Sequence, residues 1–246
     1  MMTGKTIVIV PTYNEAENIC FLVQRIYSLN IQLSVLVVDD NSPDKTYQKV
    51  KKLQEKHHSL HLITRDCQQG LGTAYIEGFG YALSRGFDVI IQIDADLSHS
   101  PEKIIEMVTL MEKYDLVIGS RYIHGGGVLG WPLSRVLLSK SANIFSKILL
   151  AIPLNDLTSG FKCVKRKVLE NINFNTILSK GYAFQIEMVY RAFLKGFIII
   201  EQPIVFCGRK KEKSKMSSGI IIEAFFRVVS LALKRRTLFP KSAFIK

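Results

Sequence analysis

The sequence predicts an α/β protein built on a mostly parallel sheet flanked by helices. Two observations carry that expectation. Short, β-branched and nearly continuous apolar runs alternate with helical stretches through the first half of the chain, the pattern of strands buried on both faces. The polar motifs then fall just after successive apolar runs, which gathers them at one edge of one sheet. Thr6-Ile7-Val8-Ile9-Val10 predicts a strand over 6–10, followed by a helix over 15–28. Ser34-Val35-Leu36-Val37-Val38 predicts the second strand, with a helix over 46–56 after it. A third strand over 61–64 leads into a helix over 72–84, and Val89-Ile90-Ile91-Gln92-Ile93 reads as the fourth strand. A helix over 101–113 and a strand over 116–118 complete the alternation. Neither an internal repeat nor a linker-like boundary occurs before residue 205.

The motif after the fourth strand is the most informative. In Asp94-Ala95-Asp96 two carboxylates stand where a buried strand emerges. At a strand end, carboxylates at i and i+2 can reach one hard divalent cation, because backbone turning out of the sheet no longer sends them to opposite faces. Mg²⁺ or Mn²⁺ held there would bind substrate phosphates. Pro11-Thr12-Tyr13-Asn14-Glu15 follows the first strand, Asp39-Asp40-Asn41-Ser42-Pro43-Asp44 the second and Gly70-Leu71-Gly72 the third. Each alone also suits a turn or a helix cap; their shared edge is what points to a nucleotide pocket, in a Rossmann-like sheet whose ligands bind beyond the carboxyl ends of the strands. The glycines permit close backbone approach at a helix start, but they form neither a Walker loop nor a full dinucleotide fingerprint.

The 246 residues, with 48% hydrophobic content, suffice for one well-cored unit, and a net charge of +12 bounds the partners. Such a balance suits nucleic acid, an anionic membrane or phosphorylated small molecules; without a zinc finger or an aromatic RNP element, phosphate and membrane are expected and nucleic acid is not. Cys20, Cys67, Cys163 and Cys207 have no paired spacing, so neither a zinc site nor a disulfide framework is expected. No signal peptide is recognisable before the first strand, and no run of about 20 apolar residues predicts a spanning helix. Two segments nevertheless suit an interface. Residues 133–150 are rich in Leu, Ile, Val and Phe but carry Arg135, Lys140 and Lys147. In residues 220–233, Glu223, Arg227 and Ser230, continued by Lys234, recur at helical spacing and leave a wide apolar arc, followed by Lys234-Arg235-Arg236. Either could pack on its own core; together with the charge they predict peripheral binding at the cytoplasmic face of a membrane. The helix over 220–233 is also where accessory membrane subunits would dock.

Val10-Pro11-Thr12-Tyr13-Asn14-Glu15, Val38-Asp39-Asp40-Asn41-Ser42-Pro43-Asp44, Gly70-Leu71-Gly72-Thr73-Ala74, Asp94-Ala95-Asp96-Leu97-Ser98-His99 and Gly119-Ser120-Arg121-Tyr122 resemble the inverting family 2 glycosyltransferases of GT-A fold. Gly125-Gly126-Gly127, Gly130-Trp131-Pro132, Arg135 with Ser139-Lys140, Asp156-Leu157-Thr158-Ser159-Gly160-Phe161 and Gly181-Tyr182-Ala183-Phe184-Gln185-Ile186-Glu187 look like the dolichol-phosphate mannosyltransferase (polyprenol monophosphomannose synthase) branch. The resemblance spans residues 6–216, which would form the catalytic domain (1–216, including the acceptor-side segment 131–150), with 217–246 as a C-terminal amphipathic helix and basic tail. It implies GDP-mannose as donor and a polyprenyl (dolichyl-type) monophosphate as acceptor. By position, Pro11, Tyr13, Glu15, Val38 and Asp40 would cradle base and ribose, with the Ala95 backbone beside the nucleotide. Asp94 and Asp96 would hold the metal; Ser98, or a water in its place, stands where some relatives have a glutamine ligand. Arg121, Arg135 and Ser139 would contact the lipid phosphate, and Arg209 and Lys215 would close over donor or acceptor phosphates. The 209–215 segment departs from the relatives' pattern, Lys211-Glu212 replacing the expected glycine context.

The leaving diphosphate must be neutralised, which a bridging cation does as a Lewis acid. A phosphate monoester, with second pKa about 6, is already substantially dianionic at neutral pH, so no strong general base is required. Arginines suit such a phosphate because their planar fork binds two oxygens. Arg135 and Ser139, at i and i+4, face one way. Asp156 is expected to orient the acceptor or an arginine rather than act as a base. Two rivals stay open: another donor such as UDP-glucose on the same scaffold, and a non-catalytic nucleotide-binding regulatory subunit.

Overall fold

The computed structural model describes residues 4–177, 179, 181–208 and 218–238. Seven strands form the central sheet in the order β3-β2-β1-β4-β7-β5-β8. These are β1 (Thr6–Thr12), β2 (Ser34–Asp39), β3 (Leu60–Thr64), β4 (Val89–Gln92), β5 (Leu116–Ser120), β7 (Lys162–Lys165) and β8 (Ile199–Pro203). A separate parallel pair joins β6 (Gly127–Leu129) to β9 (Val205–Cys207). All pairings in the large sheet are parallel except those of β7, which runs antiparallel to both β4 and β5.

Strict alternation of buried side chains sets the two faces. Ile7 and Ile9 join one hydrophobic layer and Val8 and Val10 the other, as the two-residue period of a strand requires. Against the second layer pack α1 (Ile19–Tyr27), α2 (Thr46–Gln54) and α4 (Lys103–Leu110), through Leu22, Val50 and Met107. Against the first pack α3 (Leu71–Ser84), α6 (Arg166–Glu170) and α7 (Gly181–Leu194), through Phe79, Val168 and Phe184. Both faces are covered, which is why the strands read as continuous apolar runs.

Two expected helices start late. The chain after β1 turns through Asn14, whose φ is 57°, and Thr46 Oγ1 accepts the Glu15 N–H at 3.1 Å, so α1 begins at Ile19 rather than at residue 15. Residues 101–102 form a turn ahead of α4. The amphipathic segment 133–150 is a helix with the expected bounds, α5 (Leu133–Leu150). It buries Asn143, Ser146 and Leu150 and leaves Leu133, Leu137, Ile144 and Ile148 exposed. The last helix, α8 (Ser218–Leu238), buries Val228 and Leu231 in the core layer and stacks Phe225 on Phe145 of α5 at 4.8 Å, while Phe226 and Leu233 stay exposed. Among the described residues no helix is long and apolar enough to cross a membrane.

Candidate active site

The parallel strands β1, β2 and β4 deliver their motifs to one edge of the sheet, as expected, but several of the acids there are already engaged. Asp39 is fully buried and accepts hydrogen bonds from Thr12 Oγ1 (2.7 Å), Ser42 Oγ (2.7 Å) and the Ser42 N–H (2.9 Å), tying β1 to the loop after β2. Asp40 pairs with Arg65 in a buried salt bridge and takes the Gly70 N–H at 3.0 Å; Arg65 also donates to Thr73 Oγ1 (2.8 Å) and to the Gly70 carbonyl (3.1 Å). This closes the loop from Arg65 to Gly70 onto the start of α3. Val38 is fully buried and pairs with Pro11, so only its backbone is offered to a ligand. Tyr13 and Pro11 are half-buried, and buried Glu15 accepts from Asn18 Nδ2 at 2.8 Å.

The two carboxylates beyond β4 are half-buried, with Ala95 buried between them. Leu97 has φ 62°, a left-handed conformation that a bulky side chain rarely adopts and that costs about 1–3 kcal/mol. The turn it makes brings the Ser98 N–H (3.1 Å) and hydroxyl onto Asp96 Oδ1. Ser98 is 2% exposed and its hydroxyl is committed to Asp96, so it braces that carboxylate. Asp94 Oδ1 lies 3.4 Å from Tyr75 Oη, and Oδ2 lies 3.5 Å from His99 Nε2. Burial first, and the Asp94 charge next, push the Tyr75 hydroxyl well above its ordinary pKa, so it stays a donor. Gly160 presses on Asp94 from the other side: a Cβ there would sit 2.8 Å from Oδ2. Glycine at 160 thus leaves the room that the Asp94 carboxylate occupies in this position. No group of three or more His, Cys, Asp or Glu side chains among the described residues could hold a metal. Two hard oxygen donors suit a cation that completes its shell with substrate phosphate and water.

A cationic cluster lies beside them. Arg121, at the end of β5, donates to both oxygens of Asp156 (Nε 2.7 Å, Nη2 2.6 Å) and to Thr158 Oγ1 (2.7 Å), and its backbone N–H reaches Asp156 at 2.9 Å. Burial would raise the Asp156 carboxyl, but hydrogen bonds and charge from Arg121 outweigh it and hold the pKa below the ordinary value. Asp156 therefore orients an arginine, one of the two roles expected for it. Its backbone is pinned in turn, the Asp156 N–H donating to Glu201 on β8 at 2.9 Å. Tyr122 Oη donates to Ser139 Oγ at 2.6 Å, bringing α5 to the end of β5. The Arg135 guanidinium lies 4.0 Å from the centroid of Trp131, and Lys140 Nζ lies 5.8 Å from that of Tyr122. Phe206 links the two groups: its ring stands 5.0 Å from Trp131 and 5.1 Å from His99, the neighbour of Asp94. Arg209 and Lys215 lie outside the described residues.

Sequence reasoning missed three contributors. Arg65 is a lone cation after β3 whose partner is 25 residues away. Tyr75 sits on α3 within an ordinary apolar stretch. Lys162 is fully buried in β7, donating to the Ser159 carbonyl and to Gln185 Oε1 (2.6 Å); burial lowers its pKa to about 7 despite the opposing charges of Asp156 and Asp94.

Residues 7–172 match the family model for glycosyl transferase family 2. The chain belongs to this family, and it is a glycosyltransferase. It is 42% identical to the polyprenol monophosphomannose synthase of Mycolicibacterium smegmatis over 236 residues, covering 95% of this chain and 89% of that protein. It is 39% identical to the undecaprenyl-phosphate mannosyltransferase of Micrococcus luteus over 232 residues, covering 94% and 96%. Those two names bear out the resemblance drawn from the motifs. Among solved structures, glucosyl-3-phosphoglycerate synthase from Mycobacterium tuberculosis, crystallised with Mn²⁺, UDP and phosphoglyceric acid, superposes with a TM-score of 0.68 at 17% identity, covering 98% of this chain and 81% of that one. The shared fold is the GT-A glycosyltransferase fold expected from the motifs.

Proposed function

We propose that this glycosyltransferase transfers mannose from GDP-mannose to a polyprenyl (dolichyl-type) monophosphate, with inversion at the anomeric carbon. The observation that carries the reading is the cluster of Arg121 and Arg135 beside the Asp94–Asp96 edge, in a chain whose relatives over nearly its whole length are named for polyprenyl-phosphate mannosyl transfer. Pro11, Tyr13, Glu15, the Val38 backbone and the Ala95 backbone would line the nucleotide, with Asp40 shaping that wall through Arg65. Asp94 and Asp96 would hold Mg²⁺ or Mn²⁺, as Mn²⁺ accompanies UDP in the similarly folded synthase, with Ser98 bracing Asp96. A divalent cation bound there would neutralise the departing diphosphate.

Arg135, Arg121 and Ser139 would orient the acceptor phosphate, and Arg209 and Lys215 would add charge over the phosphates. Since the acceptor is a dianion near neutral pH, positioning and charge replace a protein base. A single in-line displacement converts the donor's α-linkage to β. Residues 1–216 would serve as the catalytic unit. Residues 217–246, with the exposed apolar face of α5, would dock the enzyme on an anionic membrane, the net charge of +12 assisting. The test is to supply Mn²⁺, a short polyprenyl monophosphate and, in parallel, GDP-mannose, UDP-glucose and UDP-N-acetylglucosamine, following lipid-linked sugar by mass spectrometry. Product from GDP-mannose alone, abolished by Asp96→Asn, is expected; product from a uridine donor would overturn the mannose assignment, and none from any donor would overturn the reading.

A further inference from the structure

The two arginines of the site are not equivalent. Arg121 is neutralised by Asp156, whereas no carboxylate pairs with Arg135 among the described residues. Both guanidiniums lie over one ring, that of Trp131, with Cζ at 4.0 Å from the centroid for Arg135 and 5.6 Å for Arg121. Among the described residues, two donors of this stacked pair are buried without a hydrogen-bond partner, Arg135 Nε and Trp131 Nε1. Buried donors are ordinarily satisfied, so two orphans in one stacked pair ask for an acceptor that arrives from outside. An anionic oxygen suits both, because guanidinium and indole N–H groups only donate and hydrogen bonds between charged partners are the strong ones.

The fold fixes the ring in place. Trp131 precedes α5 and packs edge-on against Phe206 of β9 at 5.0 Å. Gly208 donates its N–H to the Leu129 carbonyl at 2.7 Å, and a Cβ on Gly208 would sit 2.8 Å from Trp131 Cδ1. Glycine at 208 therefore sets how far the indole can lie toward β9.

We propose that Trp131 is part of the acceptor-phosphate receptor: its ring holds the Arg135 guanidinium, and its Nε1–H joins Arg135 Nε in donating to the oxygens of a phosphate monoester. This rests on the polyprenyl-phosphate reading above and adds a recognition residue to it. Arg121, locked by Asp156, shapes the receptor, and Arg135, with no carboxylate partner among the described residues, carries its charge.

Trp131 is the sole tryptophan of the chain, so its emission reports on the receptor directly. Farnesyl phosphate titrated into the full chain should give a saturable change in emission, inorganic phosphate the same change at higher concentration, and farnesol none. In Arg135→Leu the change should be lost. In turnover, Trp131→Leu should raise the acceptor KM roughly tenfold or more while leaving the GDP Kd, measured by calorimetry, within about twofold. Trp131→Phe, which keeps a π face but no N–H, should recover part of that loss. Gly208→Ala, which displaces the ring without touching its chemistry, should also raise the acceptor KM. Unchanged emission with farnesyl phosphate in a protein that transfers normally would overturn the proposal, as would a Trp131→Leu enzyme with unchanged acceptor KM or with GDP binding weakened equally. An emission response without lipid-linked sugar from any donor would support the receptor and overturn the mannosyl-transfer reading instead.

Discussion

Removing the Asp156 carboxylate should destabilise the protein by several kcal/mol. The Asp156 side chain is 0% exposed and that of Arg121 6%, and two side-chain bonds of 2.6 and 2.7 Å join them, with a third to the Arg121 N–H at 2.9 Å. Asp156→Ala leaves a buried guanidinium without its carboxylate, with Thr158 and nearby rings among its neighbours. Breaking one partner of a buried pair costs about 3–5 kcal/mol. Asp156→Asn keeps the shape and one acceptor but turns an amide N–H toward Arg121, and losing one hydrogen bond to a charged group costs about 1.5–3 kcal/mol. The order expected is wild type, then Asn, then Ala. Guanidinium unfolding followed by far-UV circular dichroism measures it, with Trp131 emission as a local probe 5.6 Å from the Arg121 Cζ. The sign with pH follows from the depressed Asp156 pKa: its contribution is complete above the unfolded carboxylate value of about 3.9 and is lost as pH falls through the lower folded value. An Asp156→Ala protein within about 1 kcal/mol of wild type at unchanged m-value would refute the reasoning.

Other regions give independent outcomes. Gly160→Ala should push Asp94 aside and cut turnover about 100-fold at nearly unchanged melting temperature, since small displacements of a positioned group are that costly; wild-type rates would show that the room left by glycine is dispensable. Replacing Phe225 and Phe226 with Ser should release the protein from anionic liposomes in sedimentation while sparing GDP binding, and unchanged co-sedimentation would remove α8 from the docking surface. For Lys162, whose folded pKa of about 7 lies below its unfolded value, the unfolded chain holds the extra proton between pH 7 and about 10, so its own contribution to stability should rise with pH there by at most about 1.4 kcal/mol per unit, opposed at the upper end by buried Cys163, whose thiol pKa burial pushes up. Lys162→Met should remove that slope, measured as the difference in unfolding free energy between pH 7 and pH 9.

The alternation of strand and helix was legible because the strands are buried on both faces and their apolar runs are uninterrupted, and the helix over 220–233 was legible because Glu223, Arg227, Ser230 and Lys234 recur at helical spacing. β7 was not, for the opposite reason: Lys162-Cys163-Val164-Lys165 is four residues long, begins with a lysine and enters the sheet between β4 and β5 against their direction. Asp94 and Asp96 could be singled out from their place after an apolar run. The contacts of Asp94 with Tyr75 and Gly160 could not, since those residues come from segments far from the motif that also holds His99. Asp40 shows the same limit in a motif residue. Its position at the strand end was readable, but its pairing with Arg65 depends on the loop after β3 folding back onto the end of β2. The sequence around Trp131 likewise does not show which rings and cations its indole meets.

The measurement that tests the central claim most directly is the nuclear magnetic resonance spectrum of the lipid product made from GDP-mannose and a short polyprenyl monophosphate. A β-mannosyl unit joined through the intact phosphate of the acceptor, seen as anomeric proton–phosphorus coupling, is the predicted result. An α-linkage would contradict single in-line displacement, and mannose attached anywhere other than that phosphate would contradict the acceptor assigned to the Arg121–Arg135 cluster.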